Sequence, residues 1–180
     1  MKKLILAALM MTTMICSHLF AFTRAQLSSP TGYWLTIDDK THKPRAVVQI
    51  YRVKTKKGVQ LQGKTIVPLY IAGTSWRRKC TGCIAPWTNK TIKGMNIMYG
   101  YQQSGQYWDS PWINGSIFDV GSSKDVYRSK LWLIDGGKKL KLRGYLFVFY
   151  RTQTWQRLKN SQVTYYKKLY QKQVRQHPLA

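Results

Sequence analysis

The chain of 180 residues carries 30 Lys and Arg against six acidic residues, a formal net charge of +24, and 13% of it is aromatic. Every acidic residue is an aspartate and there are three histidines, so general acid–base chemistry, which draws on histidine or tuned carboxylates, is poorly provided for. The charge points to acidic partners or to a solubility device, and it does not bear on the fold.

Met1-Lys2-Lys3, an apolar run from Leu4 to Ile15, and then Thr23-Arg24-Ala25-Gln26 form the three parts of a cleavable export signal. A cut after Ala25 puts Thr23 and Ala25 at −3 and −1, whereas a cut after Ala21 puts bulky Leu19 at −3. The apolar run is shorter than the ~20 residues that span a bilayer. Bulky Ile15 before Cys16 opposes lipid attachment there. The expectation is export, to the periplasm or beyond the cell, with residues 1–25 as leader, 26–157 as one domain and 158–180 as a basic C-terminal helix or tail. No acidic residue lies in the leader, so losing Lys2, Lys3 and Arg24 takes +24 down by three to +21.

Strand signals then follow in order. Ala46 to Tyr51, Asn96 to Tyr101 and Lys130 to Ile134 are β-branched or aromatic. Asp135-Gly136-Gly137 marks a hairpin. Leu140-Lys141-Leu142-Arg143 alternates apolar and basic, as a strand with one wet face does. The pattern predicts strands over 33–37, 45–53, 58–67, 94–102, 107–119, 125–134, 138–148 and 150–157. Many short strands separated by turns predict an antiparallel barrel or sandwich. The longest connection, 72–93, holds Trp76, Cys80, Cys83 and Trp87. After Arg157, Val163, Tyr166, Tyr170 and Val174 fall at helical spacing among lysines and arginines. This predicts a short basic amphipathic helix that packs on the barrel or frays as a tail, with a membrane-surface or partner contact as the other reading.

Gly58 to Thr65 matches the phosphate-loop pattern G-x-x-x-x-G-K-[ST]. That loop needs a following helix, and here Ile66 to Ile71 is strand-like and contains Pro68, so the match is chance. Cys80-Thr81-Gly82-Cys83 is expected to form a local disulfide in an oxidising compartment. A redox dithiol is the lesser reading. Two cysteines and His42 and His177 make no four-ligand zinc site, and no metal or cofactor is expected. Aromatic and basic residues interleave, as in Tyr150-Arg151 and Tyr127-Arg128. Period-two strands put aromatics into a core and basic residues into water without any nucleic-acid function, so no nucleic-acid partner is expected.

Gly32-Tyr33-Trp34-Leu35-Thr36-Ile37-Asp38-Asp39-Lys40-Thr41, then Lys43-Pro44-Arg45, Cys80-Thr81-Gly82-Cys83, Gly115-Ser116-Ile117-Phe118-Asp119, Leu131-Trp132-Leu133, Arg143-Gly144-Tyr145 and Arg151-Thr152-Gln153-Thr154-Trp155 resemble the bacterial DUF2147 family over about residues 30–157. Two departures stand out: Val120 replaces a frequent proline, and Leu146-Phe147 replaces an apolar-Gly pair. The resemblance implies an exported protein with a lipocalin-like (calycin) barrel, and it brings no activity with it. Such barrels carry a Gly-x-Trp on the first strand and a late arginine packed over that tryptophan. Trp34 and Arg151 are the expected pair, with Arg157 as the alternative partner.

The sequence thus predicts an all-β protein, an antiparallel barrel of about eight strands with a short C-terminal helix, and no enzymatic activity. The first functional expectation is an envelope protein holding a small apolar or amphipathic ligand inside the barrel, lined by inward-facing Trp108, Trp132, Tyr145 and Trp155. The second is a basic module that binds an anionic membrane surface (lipopolysaccharide or phospholipid) or an acidic protein. The oligomeric state is left open.

Overall fold

The computed structural model describes residues 22–38, 42–69, 79–107, 109–120 and 125–176. A four-residue helix α1 (Arg24–Leu27) precedes eight strands: β1 (Gly32–Ile37), β2 (Pro44–Thr55), β3 (Gly58–Pro68), β4 (Asn96–Gln103), β5 (Trp112–Phe118), β6 (Val126–Ile134), β7 (Lys139–Leu146) and β8 (Phe149–Leu158). A 3-10 turn at Asp135–Gly137 joins β6 to β7, and helix α2 (Asn160–Gln176) follows β8. Each strand pairs antiparallel with its neighbour in sequence, and β1 pairs with β8, so the sheet closes on itself. Closure leaves no unpaired strand edge. The eight predicted strands and the helix are all present. The chance phosphate-loop match lies within β3, in extended backbone.

Alternation decides what fills the barrel. Trp34, Val48, Ile50, Leu61, Leu131, Leu140, Leu142 and Trp155 belong to one buried cluster. Trp34, Tyr101, Met98, Phe118 and Trp155 are fully buried. Aromatics of this size occupy the interior that eight strands leave. Gly115 on β5 provides room for one of them: a Cβ there would sit 2.3 Å from the Tyr101 ring. The Tyr101 hydroxyl bonds to Ser129, and burial pushes its phenol above the ordinary value.

β1 is apolar on both faces, and the second face explains α2. Leu35, Val47, Val67, Leu69 and Leu158 form an outer cluster with Val163 of α2, against which Tyr166, Leu169 and Tyr170 pack. The helical spacing of these residues puts them on one stripe. Burying such side chains stabilises by about 1.5–3 kcal/mol each, so the helix is a cover for the barrel wall, as predicted. Among the described residues no helix is long and apolar enough to cross a membrane.

Candidate functional site

One end of the barrel is sealed by residues brought together from three parts of the chain. Trp34 and Arg157 are direct cross-strand partners on β1 and β8, and the Arg157 guanidinium lies 4.2 Å from the Trp34 ring centroid. Arg157 Nε donates to the Gly137 carbonyl at 2.7 Å, Nη1 to Thr31 at 2.9 Å and Nη2 to Ser29 at 2.7 Å. Trp34 Nε1 donates to the Pro30 carbonyl at 2.8 Å. Gly137 has φ +82° and touches the Leu27 backbone, so no side chain fits there. Burial lowers the Arg157 pKa to about 10, which leaves it charged at neutral pH.

The opposite end carries the cysteine pair. Cys80 and Cys83 lie at disulfide distance with Cα atoms 5.6 Å apart. Both are buried in the interior cluster with Met95 and Ile97. Trp87 stacks on Phe118 with centroids 4.2 Å apart. The pair therefore anchors its connection into the barrel mouth. Among the described residues no group of three potential metal ligands occurs.

Beside that plugged mouth the β7–β8 hairpin projects into solvent. Leu146 pairs with Phe149 across a two-residue turn. Phe147 is 96% exposed, Val148 85% and Phe149 73%, and Leu146 and Tyr150 are at least half exposed. Phe147 has φ +53°, a region that bulky side chains rarely adopt and that hairpin turns usually fill with glycine. Five consecutive apolar or aromatic residues thus stand outside the core, one of them in a strained backbone position.

A family model described as an uncharacterized protein conserved in bacteria (DUF2147) matches residues 32–157. The chain belongs to the DUF2147 family. The matched segment is the barrel itself, from the first residue of β1 almost to the end of β8. No curated protein and no solved structure matches this chain. Phe147 stands where the DUF2147 resemblance expects glycine, and the positive φ gives the physical reason for that glycine.

Several sequence expectations change within this DUF2147 barrel. Arg157, the alternative partner, is the residue over Trp34. Arg151 pairs with Gly144, six residues earlier on β8 and about 20 Å away along the strand. Trp155 does point inward, but it is a fully buried core residue and not a wall left open for a ligand. Trp132 and Tyr145 face outward, because Leu131, Leu140 and Leu142 take the inward positions of β6 and β7. Trp108 lies outside the described residues. A solvent-open hollow of about 460 Å³ lies at the Trp34–Arg157 end of the barrel, against Ser29, Pro30, Arg52, Gln103 and the interior residue Trp112, and its lining is mostly polar.

The outward residues form a second feature that period-two reasoning missed. Trp132 shares its face with Lys130, whose Nζ is 5.7 Å from the ring centroid. The Arg143 guanidinium is 5.5 Å from the same ring and 4.2 Å from the ring of Tyr150. Here aromatic and basic residues share one face, so the expected division into an aromatic core and a basic surface fails on β6, β7 and β8. The register places Arg128 opposite Tyr145 and Lys130 opposite Arg143, a belt of cations and rings directly behind the apolar tip.

Proposed function

We propose that this protein is a non-enzymatic, exported envelope protein that attaches peripherally to anionic membrane surfaces through its β7–β8 hairpin. The observation that carries the reading is the exposed run Leu146-Phe147-Val148-Phe149-Tyr150. Contiguous apolar surface of this kind marks an interaction site, and a bulky residue held at positive φ costs stability that a glycine would spare. The belt of Arg128, Lys130, Arg143 and Lys141 supplies charge complementary to anionic lipid. Tyr145, Tyr150 and Trp132 are of the types that favour the level of the lipid head groups. The packed interior favours this surface reading over a ligand held inside the barrel.

Vesicle sedimentation across a salt series tests it. The protein is expected to pellet with phosphatidylcholine vesicles containing phosphatidylglycerol, to do so less as salt rises, because attraction between exposed charges is screened, and to lose most of the association in a Phe147→Ser, Phe149→Ser variant. Equal association with neutral and anionic vesicles, or unchanged association of the variant, would overturn the proposal.

A further inference from the structure

Lys130 and Arg143 lie directly opposite one another on β6 and β7. Like charges in this arrangement repel and destabilise a sheet. Arg128 and Lys141 are next along the same face. Among the described residues none of these four cations pairs with a carboxylate; the ion pairs present are Arg45–Asp38 and Lys139–Asp135. Arg143 is also held in place. Its Nε donates to Thr152 Oγ1 at 2.9 Å, and its guanidinium lies near both the Tyr150 and Trp132 rings. The two terminal nitrogens of a guanidinium so held are a ready-oriented fork, the geometry that grips two phosphate oxygens. The Lys130 ammonium, near the same indole, adds a donor for a third oxygen.

We infer that Arg143 and Lys130, oriented by Trp132, Tyr150 and Thr152, form a binding site for a phosphomonoester head group of a membrane lipid. The inference rests on the proposed membrane attachment and names the group that is recognised there. Arg143 is four residues from Phe147, about 13 Å along the strand. With the apolar tip buried about 5–10 Å into the head-group and acyl boundary, Arg143 sits at the level of the lipid phosphates. An anion at this point relieves the Lys130–Arg143 repulsion, which gives the pairing a reason. Single-stranded nucleic acid fits the face less well, because guanidinium and ammonium groups already crowd the two rings that bases would stack on, and such a ligand leaves the apolar tip unexplained.

The test compares phosphatidylcholine vesicles carrying phosphatidic acid with vesicles carrying phosphatidylglycerol at matched surface charge. The intact protein is expected to bind the phosphatidic acid vesicles about 10-fold more tightly, the gain of about one charge-assisted fork. Arg143→Lys keeps the charge and loses the fork. It is expected to bind both vesicles about equally while keeping its circular dichroism spectrum. A wild-type protein without the preference, or an Arg143→Lys variant that retains it, would overturn the site and leave the membrane reading standing. Failure to bind any vesicle would overturn the membrane reading itself. Tighter binding to a single-stranded oligonucleotide than to either vesicle, lost in Arg143→Lys, would also overturn the inference and assign the face to nucleic acid.

Discussion

Trp34 and Arg157 face each other across the β1–β8 seam, and the cation over the indole is the point at which the barrel is sealed. Three carbonyls from two separate segments accept from the same guanidinium. Arg157→Met removes every one of those donors and leaves the buried Gly137 carbonyl without this partner, so it is expected to lose about 3 kcal/mol of stability in urea unfolding. Arg151→Met, at an exposed position, is expected to lose less than about 1 kcal/mol. Equal losses in the two variants would show that the seal carries no special weight. Burial puts the Arg157 folded-state pKa at about 10, below its unfolded value. The charged form is therefore penalised at every pH below that, and the penalty fades only as pH rises past about 10. Arg157 is expected to contribute no pH dependence to stability around neutrality.

Phe147→Gly separates fold from function. Glycine suits the φ of +53° at the turn, so the variant is expected to gain about 1 kcal/mol in thermal or urea unfolding. The same change removes the most exposed apolar side chain of the hairpin and is expected to weaken vesicle association several-fold. A variant that loses stability, or that keeps full association, would contradict the assignment of Phe147 as a contact retained despite backbone strain.

The N-terminus makes a third prediction. Thr23 Oγ1 accepts from the Gln26 amide while the Gln26 side chain accepts from the Thr23 amide, a reciprocal cap on α1. The Phe22 ring lies 6.0 Å from the Arg157 guanidinium. A cut after Ala25, the better sequence match, falls inside this turn, whereas a cut after Ala21 leaves it whole. If the leader is removed as proposed, intact-mass measurement is expected to show a chain starting at Phe22, and a full-length mass would count against export. A chain starting at Gln26 would show that the turn is dispensable.

Both cysteines are buried. A reductant is expected to leave the Cys80–Cys83 bond intact in the native protein and to cleave it after unfolding, as read by thiol labelling. Replacing both with serine is expected to lose about 2 kcal/mol, because the loop they close is very short. Rapid labelling of the native protein after mild reduction would support the redox reading instead.

The strands were legible because turn residues and alternation are local signals. Leu140-Lys141-Leu142-Arg143 says which side faces water without any knowledge of its neighbours. Val163, Tyr166 and Tyr170 announce a helical stripe in the same way. The site was less legible. Trp132 and Tyr145 are apolar enough to be assigned to a core, and nothing local says that Leu131, Leu140 and Leu142 already hold the inward positions. The trace of the hairpin in sequence was Phe147 at a position where the family resemblance expects glycine.

The amino-acid order by itself determined the eight strands, the C-terminal helix, the positive charge and the closeness of Cys80 and Cys83, since each rests on spacing or composition; between barrel and sandwich it was the family resemblance that pointed to the barrel. The tertiary structure alone decided that Arg157 and not Arg151 covers Trp34, that the interior is filled by side chains, and that Phe147, Arg143 and Lys130 lie near one another on the outside. These depend on strand register, and a shift of one residue reverses every side chain between interior and surface. Register is set by the closure of all eight strands together and cannot be read from any one of them.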